Sequence, residues 1–386
     1  MSFGKMPIAN GFIDKNDFEK KFFFNLEVGF SDKCSLFQLN EHPKPEQMFN
    51  INYPFFTGSS ESMKIHFKKY SDFIKKNYIK NNSKIIEIGS NDGTFLNNFR
   101  NSNLEYVGFE PSKNTADLAK QKEIKTINSF FNTKNLDLVK NFIGQTDAIF
   151  AANVICHIPE LNDLIEAVEK LLSKDGVFIF EEPYLGSMFK KISYDQIYDE
   201  HIFIFSGTAV KKIFDFYDME LIDLIKQETH GGSMRYIITR KNKRAINKNV
   251  QKILDEEKKN NLDNIESCLD FKKNCENSKI KLINLLKSYT SKEKRIVGYG
   301  ATSKSTTILN YCGIGSDIIE YICDTTKEKI GKYSPGMHIP IVNIESFRKD
   351  NAEVVYLFAW NHKDEILKKE ANFTKNKRQW ISHVKI

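Results

Sequence analysis

The order of hydrophobic and polar residues divides the chain into three blocks. Residues 1–70 are irregular and rich in aromatic side chains, which predicts a small N-terminal domain packed against a larger one. In residues 71–240, short apolar runs alternate with amphipathic stretches. The predicted strands are Lys84–Ile88, Tyr106–Phe109, Asp147–Ala151 and Val177–Glu181, and the predicted helices are Leu161–Leu172 and Ala209–Phe216. This alternation predicts an α/β domain with a mostly parallel sheet and helices on both faces.

The last block, residues 241–386, repeats this pattern after a helical start. Residues 247–291 contain neither Gly nor Pro and place apolar residues at helical spacing, which predicts one long helix or two shorter ones. The predicted strands that follow are Arg295–Gly298, Ile319–Cys323 and Val354–Phe358, and the predicted helices are Ser303–Tyr311 and Asp364–Lys369. We therefore expect a helical linker and a second Rossmann-like domain.

Composition and charge narrow the class of protein. Hydrophobic residues make up 40% of the 386 residues, which is typical of a globular chain. Lys and Arg exceed Asp and Glu by 57 to 50, and the surplus lies in lysine-rich stretches such as Lys241–Lys258, typical of solvated helices. No apolar run approaches the roughly 20 residues that cross a bilayer, and Met1–Asn10 lacks the apolar core of a signal peptide. We expect a cytoplasmic protein with no nucleic-acid or membrane partner.

The first glycine-rich turn carries the clearest chemistry. Gly89 and Gly93 follow the strand Lys84–Ile88, and Asp92 between them disfavours the pyrophosphate that a dinucleotide turn accommodates. About 20 residues later, Glu110 stands at the tip of the next strand, where it can accept both hydroxyls of a ribose.

This order resembles class I S-adenosylmethionine-dependent methyltransferases, and Ala151–Ile158 is similar to their fourth motif. The resemblance implies S-adenosylmethionine as cofactor. The implied cofactor-binding residues are Glu87, Gly89, Asn91, Asp92, Gly93, Glu110 and Asn153.

Two further stretches contain polar residues that could take part in catalysis or bind a ligand. Ser193–His201 holds two tyrosines, three acidic residues and a histidine, a mixture that can pair a general base with partners that set its pKa. His230–Arg235 is a glycine turn flanked by a hydroxyl and a guanidinium, which can hold an anionic or sugar ligand. A polar network that only closes a loop explains these stretches equally well.

Nearly the whole chain resembles the sugar C-methyltransferases that act on nucleotide-linked ketosugars in deoxysugar biosynthesis. The stretches that carry the resemblance are Met6–Asn10, Cys34–Leu39, Ile88–Gly93, Asp195–His201, His230–Arg235, Gly298–Lys304, Ile308–Tyr311, Pro335–Pro340 and Trp360–Asn361. The resemblance implies a small N-terminal domain (1–70), a class I methyltransferase Rossmann-like domain (71–240), and a helical linker with a C-terminal Rossmann-like substrate domain (241–386).

The resemblance also implies roles for individual residues. His201 is expected to remove a proton beside the ketone, held by Glu200, while Tyr198 is the alternative base or, with His157, a donor to the enolate oxygen. Lys304 falls in the first turn of a predicted helix, which suits a phosphate. The expected substrate-binding residues are Tyr53, His230, Gly232, Ser233, Arg235, Tyr299, Lys304, His338, Trp360 and Asn361.

Two departures from the family pattern bear on these expectations. The family's N-terminal zinc is held by paired C-x-x-C motifs, whereas none of the six cysteines here forms such a pair: Ser31 stands at the partner position of Cys34, and the chain begins after the upstream pair. We therefore expect no bound metal. Asp199 replaces the family's usual His inside its Y-H-E-H motif, which leaves Tyr198, Glu200 and His201 in place.

Two alternatives to the sugar C-methyltransferase remain open. An O- or N-methyltransferase of the same fold needs a base for a hydroxyl or amine and no enolate stabiliser. A non-catalytic or NAD-using relative would use the second glycine turn, Gly298–Gly300, where Asp324 at the tip of the next strand is the only feature that favours a dinucleotide.

Overall fold

The computed structural model describes residues 1–19, 22–51, 53–371 and 378–385. These residues form three β-sheets of four, seven and five strands. The small sheet belongs to the N-terminal part of the chain, the large sheet to the centre and the five-stranded sheet to the C-terminal part.

The N-terminal sheet is antiparallel and includes one strand from the central part of the chain. Its strands are β1 (Ser2–Pro7), β2 (Phe23–Ser31), β3 (Leu36–Leu39) and β9 (Phe203–Ile204), in the order β1-β2-β3-β9. In β2, Phe24, Leu26 and Val28 are buried while their neighbours are exposed, the period of two that a half-buried strand requires. The expectation of an irregular N-terminal domain missed this alternation.

Two helices lead from this sheet to the central one. Helix α1 spans Pro45–Met48 and helix α2 spans Glu61–Asn77, with the Ser60 hydroxyl accepting the Met63 N–H as its N-cap. Buried residues of α2 at positions 63, 67, 70 and 74 pack on the central sheet. The boundary expected at residue 70 therefore falls inside a helix that packs as part of the central domain.

The central sheet has the order β10-β11-β8-β7-β4-β5-β6. Five strands are parallel, and β10 and β11 add an antiparallel hairpin at one edge. Its strands are β4 (Lys84–Ile88), β5 (Glu105–Phe109), β6 (Thr126–Ile127), β7 (Thr146–Ala152), β8 (Leu172–Pro183), β10 (Met219–Gln227) and β11 (Ser233–Arg240). Its helices are α3 (Lys113–Gln121), α4 (Leu161–Leu171), α5 (Leu185–Lys191) and α6 (Gly207–Asp215).

This order confirms the predicted class I methyltransferase fold and locates its binding edge. Strand β4 has β5 on one side and β7 on the other, so the chain reverses direction across the sheet between β4 and β7. Ligands of open α/β sheets bind at such a switch point, beyond the carboxyl ends of the strands. The turn at Gly89 and the residue Asn153 lie there.

The predicted helical linker is two helices, α7 (Lys248–Lys259) and α8 (Ile265–Thr290). Helix α7 packs on the central domain: Val250 and Ile253 join its core, and the buried Glu257 carboxylate accepts the Gly207 N–H and the Tyr184 hydroxyl. Helix α8 packs instead in the core shared by the N-terminal sheet and the C-terminal domain.

The C-terminal sheet repeats the parallel βα plan, as expected. Its order is β14-β13-β12-β15-β16, so β12 and β15 form a second switch point. Its strands are β12 (Ile296–Tyr299), β13 (Ile322–Asp324), β14 (Ile341–Asn343), β15 (Val354–Leu357) and β16 (Gln379–Ile381). Its helices are α9 (Ser303–Cys312), α10 (Ile344–Lys349) and α11 (Lys363–Glu370).

None of the helices in the described part of the chain has the length and apolar character needed to span a bilayer.

Candidate active site

One cavity of about 310 Å³ is lined by all three parts of the chain. Asn10 and Tyr53 come from the N-terminal part, the ends of β4, β5 and β7 supply the central wall, and the turns after β12 and β15 supply the far wall. The expected site residues that line this cavity are Tyr53, Gly89, Asn91, Glu110, Asn153, His157, Tyr198, Glu200, His201, His230, Lys304 and Asn361. The structure therefore brings together residues that lie up to 308 positions apart in the sequence, from 53 to 361.

The turn after β4 exposes backbone to the cavity because Gly89 lacks a side chain. Its φ is +66°, and a Cβ there would lie 2.4 Å from Val154 Cγ2. Glu110, at the tip of β5, accepts the Asn91 N–H at 2.9 Å and the Ser112 N–H at 2.8 Å. Burial raises the pKa of the Glu110 carboxyl, which these hydrogen bonds oppose. The buried Asn153 Oδ1 has no partner among the described residues. A strand-end carboxylate and a free amide oxygen fit the hydroxyl-rich ribosyl part of S-adenosylmethionine.

Three of the expected cofactor residues support this turn without lining the cavity. Asp92 Oδ2 accepts the Gly58 N–H and pairs with Lys122, both at 3.0 Å, so it ties the segment before α2 to the turn. A side chain at Gly93 would meet Ile124 at 3.0 Å. Glu87 is buried beneath the turn, and this burial raises its pKa well above 4.5.

His201 forms a hydrogen-bonded pair with Tyr198. The His201 Nδ1 lies 2.7 Å from the Gln196 carbonyl oxygen, which makes Nδ1 the protonated nitrogen, and Nε2 lies 2.7 Å from the Tyr198 hydroxyl. Burial and then the neighbouring His157 lower the pKa of His201 well below 6.5. Burial raises the pKa of Tyr198 well above 10. The pair is therefore a neutral imidazole that accepts a hydrogen bond from a neutral phenol.

His157 lies beside this pair with a free nitrogen. Its ring stacks on His201 at 5.4 Å and on Phe49 at 5.6 Å. Burial lowers the pKa of His157 to about 3, and its Nε2 is buried with no partner among the described residues. A neutral imidazole with an unpaired nitrogen can donate a hydrogen bond to a ligand oxygen.

Glu200 does not hold His201 as expected. Its Oε1 accepts the Asn10 amide at 2.6 Å, and its Oε2 accepts the Tyr53 hydroxyl at 3.4 Å, whereas the Gln196 carbonyl orients His201. The neighbouring Asp199 accepts the Ala9 N–H at 3.0 Å, and burial followed by the charge of Glu200 raises the pKa of Asp199 to about 8. These two carboxyls anchor the N-terminal segment over the cavity.

The far wall carries two lysines. The Lys304 ammonium donates to Asn361 Oδ1 at 3.2 Å and lies in the first turn of α9, where Thr302 caps the helix through the Ser305 N–H. Burial lowers the pKa of Lys304 to about 8. Lys329 donates to the Ala301 carbonyl oxygen at 2.8 Å. Two cations and a helix N-terminus together favour an anionic group at this wall.

Six expected substrate residues lie outside the cavity lining. Arg235 pairs with Glu181 on the neighbouring strand, and Tyr299 donates to the buried Glu370. His338 stacks on Phe18 at 3.9 Å. The remaining three are Gly232, Ser233 and Trp360, all at the contact between the central and C-terminal domains or next to it.

The sequence analysis missed several lining residues, among them Asn10, Phe49 and Lys329. Asn10 lies in a stretch that carries the family resemblance, and Phe49 in the aromatic-rich first block, but neither pattern indicated the cavity. Lys329 lies five residues after the end of β13. A basic residue just after a strand end can indicate an anion-binding site, so this position could have been predicted.

Among the described residues, Cys156, His157 and His201 place three possible metal-donor atoms within 4.8 Å of one another. Both ring nitrogens of His201 already have hydrogen-bond partners. Burial, followed by the charge of Glu182, raises the pKa of the Cys156 thiol well above 9 and keeps it protonated. This group therefore fits hydrogen bonding rather than metal binding.

Three family models match the chain in succession. Residues 1–49 match a family described as a zinc binding domain, residues 63–224 a methyltransferase domain, and residues 228–384 a C-methyltransferase C-terminal domain. The protein is an S-adenosylmethionine-dependent methyltransferase with a C-methyltransferase C-terminal domain.

Three individual proteins are similar to all or part of the chain. The C-methyltransferase NovU of Streptomyces niveus is 27% identical over 384 residues, which cover 99% of this chain and 91% of the relative. A carboxy-S-adenosyl-L-methionine synthase of Nautilia profundicola is 28% identical over 193 residues, 47% of this chain and 70% of that protein. A solved S-adenosylmethionine-dependent methyltransferase of Archaeoglobus fulgidus overlaps 47% of this chain and 94% of its own, with 14% identity and a TM-score of 0.37.

The residues that match the zinc binding family do not fit a zinc ion. Residues 1–49 contain a single cysteine, Cys34, whereas a structural zinc takes about four ligands. Among the described residues of this stretch, no three possible ligands lie together. Cys34 instead packs against the central core. The expectation of a metal-free chain stays a prediction.

Proposed function

We propose that this enzyme methylates a carbon atom beside the ketone of a nucleotide-linked sugar. The observation that carries the proposal is the neutral His201–Tyr198 pair, which lies in one cavity with the unpaired Nε2 of His157. A C-methyltransferase needs a base that generates a carbanion, and a donor for the oxygen on which the charge develops. The His201–Tyr198 pair can serve as this base, and His157 can serve as this donor.

The base is the imidazole of His201 acting through Tyr198. The substrate C–H proton passes to the Tyr198 oxygen while the Tyr198 proton passes to His201 Nε2, which leaves an imidazolium and an enolate. This route avoids a free tyrosinate, which the raised pKa of Tyr198 disfavours. The Gln196 carbonyl fixes the tautomer that makes Nε2 the acceptor. Proton transfer by a positioned group of this kind contributes about 10²–10⁴-fold to a rate.

The enolate oxygen is stabilised by His157. Its Nε2 has no partner among the described residues, so the Nε2–H tautomer can donate to this oxygen without breaking another hydrogen bond. A preorganised donor at a developing oxyanion is typically worth about 3–4 kcal/mol. S-adenosylmethionine, held by the Gly89 turn and Glu110, would supply the electrophilic methyl group to the enolate carbon, with S-adenosylhomocysteine as the leaving group.

The far wall suits the phosphates of the nucleotide. Lys304 and Lys329 line it, and the backbone N–H groups at the start of α9 point outward. Because the same cavity reaches from these lysines to His201, one ligand can occupy both ends, with its anionic nucleotide at the C-terminal domain and its ketosugar at the base.

Product analysis tests the reaction class. We expect that incubation with S-adenosylmethionine and nucleotide-linked 4-ketosugars deuterated at candidate carbons gives a methylated product that has lost deuterium from the methylated carbon. Mass spectrometry of the product measures this loss. Retention of deuterium in a methyl ether or methylamine would instead indicate an O- or N-methyltransferase and defeat the enolate proposal.

Glu110 should set the affinity for the cofactor. Replacing Glu110 by Ala removes the carboxylate beside the ribose and the acceptor of the Asn91 N–H, and we expect S-adenosylhomocysteine to bind at least tenfold more weakly, about 1.4 kcal/mol. Calorimetry measures the affinity. Glu105→Ala at the opposite end of β5 is the matched control and should bind as the parent does. Equal affinities for the two variants would place the cofactor away from Glu110.

A further inference from the structure

Trp360 connects the central and C-terminal domains. It lies in the turn after β15, and its Nε1–H donates to Asp195 Oδ2 of the central domain at 2.6 Å. Its ring packs against Gly231, where a Cβ would lie 2.2 Å from the ring and where φ is +87°. Only glycine permits this approach. The neighbouring Asn361 faces the cavity and accepts the hydrogen bond of Lys304.

Asp195 is a buried carboxylate that lies beside His383 as well as the Trp360 indole. Its Oδ1 lies 3.2 Å from His383 Nε2, and both side chains are 1% exposed. His383 Nδ1 lies 3.1 Å from the Tyr356 hydroxyl, and the Tyr356 hydroxyl also accepts the His383 N–H. His383 near the end of the chain and Tyr356 of β15 therefore connect a carboxylate of the central domain to the C-terminal sheet.

The charge of Asp195 acts on Lys304. Burial opposes ionisation of Asp195, but His383, Lys304 and the Trp360 hydrogen bond outweigh it and hold the pKa of Asp195 below 3.8. In return, Asp195 raises the pKa of Lys304 against the larger lowering by burial, while Lys191 lowers it further. The Lys304 ammonium also lies 4.6 Å from the centroid of the Trp360 ring.

In the described part of the chain, the other groups found to interact electrostatically with Lys304 are neutral or cationic. His201, His230 and His362 each have a lowered pKa, first through burial and also through the charge of Lys304. Lys191 donates to the Gly231 carbonyl oxygen. Asp195 is therefore the negative charge that balances Lys304 in this set.

We propose that Asp195 is a positioning residue that keeps Lys304 charged and in place for the anionic part of the substrate. It acts through space on the ammonium and through Trp360 on the turn that carries Asn361. The inference rests on the proposed function, since it assigns Lys304 to an anion. The Ser193–His201 stretch thus contributes to both ends of the cavity. Asp195 supports the far wall, where Lys304 faces the anion, and Tyr198 and His201 provide the base.

The charge of Lys304 can be measured without any substrate. In ¹³Cε-lysine NMR titrations, with the resonance assigned from a Lys304→Met variant, the parent should show Lys304 titrating at a pKa of about 8. Asp195→Asn keeps an acceptor for Trp360 but removes the charge, so we expect this pKa to fall by roughly one unit. Asp215→Asn on the surface of α6 is the matched control and should leave it unchanged.

Anion binding gives the second readout. Lys304 loses its proton as pH rises through its pKa, so affinity for inorganic pyrophosphate should fall above pH of about 8 in the parent. In Asp195→Asn the fall should begin at lower pH, with at least fivefold weaker binding near neutral pH than the parent. Trp360→Phe keeps an aromatic side chain but loses the N–H donor and the part of the ring that lies against Gly231, so it should weaken pyrophosphate binding while S-adenosylhomocysteine binds as before.

The two proposals fail in different ways. If the Lys304 pKa is the same in Asp195→Asn and the parent, the role of Asp195 is overturned, whatever the enzyme methylates. If Asp195→Asn does not fold, unchanged pyrophosphate binding in Trp360→Phe overturns it instead. Failure to methylate any ketosugar, with the NMR shift present, would defeat the proposed substrate and leave the coupling of Asp195 to Lys304 established.

Discussion

Replacing His201 by Asn is expected to slow the methylation step by 10²-fold or more. Asn keeps approximately the size and the hydrogen-bonding capacity of the side chain but cannot take up the proton that His201 Nε2 receives from Tyr198. The chemical step can be measured in single-turnover experiments with saturating cofactor. S-adenosylhomocysteine affinity should stay at the parent value, because Glu110 and the Gly89 turn are unchanged.

Tyr198→Phe distinguishes the relay from direct proton removal. If the proton passes through the Tyr198 hydroxyl, Phe at this position interrupts the route, and the loss should equal or exceed that of His201→Asn. If His201 takes the proton directly and Tyr198 only donates to the enolate oxygen, slow turnover remains. His42→Asn, a histidine outside the cavity lining, is the control and should react at the parent rate.

Exchange of the substrate C–H proton with solvent in the absence of the methyl donor provides an independent measurement of the same step. His201→Asn should lose this exchange together with methylation. A His201→Asn enzyme that exchanges the proton and methylates at the parent rate would contradict the assignment, and the base would then be Tyr198 alone or His157.

The main elements of both Rossmann-like domains could be predicted from the sequence because their signals are local. An apolar run such as Lys84–Ile88, followed by a glycine turn, indicates a buried strand without knowledge of its neighbours. The hairpin of β10 and β11 was missed because the residues that connect its strands, around Gly231 and Gly232, also fit a ligand-binding turn and were interpreted as one. In the structure this turn closes a hairpin and makes room for the Trp360 ring.

The partners of polar side chains could not be predicted in the same way. Glu200 is next to His201 in sequence, yet its hydrogen bonds go to Asn10 and Tyr53, which the fold brings from the N-terminal part. A motif gives the order of its residues, whereas hydrogen bonds depend on which segments pack together. Asn153 and His157 were expected from the resemblance of Ala151–Ile158 to the fourth methyltransferase motif, and this stretch starts at the end of β7, so local order and spatial position coincide there.

Arg235 illustrates the same limit, and its substitution is expected to have the largest effect on stability. Its Nε donates to Glu181 Oε1 at 2.7 Å, and its guanidinium carbon lies 3.8 Å from the centroid of the Tyr70 ring. The other oxygen of Glu181 lies 2.6 Å from His66 Nε2. Arg235 and Glu181 have side-chain exposures of 6% and 1%. The pair joins β11, β8 and α2 inside the central domain.

Arg235→Ala should lower the free energy of unfolding by about 3–5 kcal/mol, because it leaves the Glu181 carboxylate buried without its cation. Chemical denaturation measures the change. Lys68→Ala, which breaks an exposed ion pair with Asp72 on α2, should cost no more than about 1 kcal/mol. Combining Arg235→Met with Glu181→Gln removes both charges and should recover most of the loss, since the cost arises from the unpaired charge and not from the missing attraction. An Arg235→Ala enzyme with parent stability and a raised substrate KM would show instead that the guanidinium binds substrate, as the sequence pattern alone suggested.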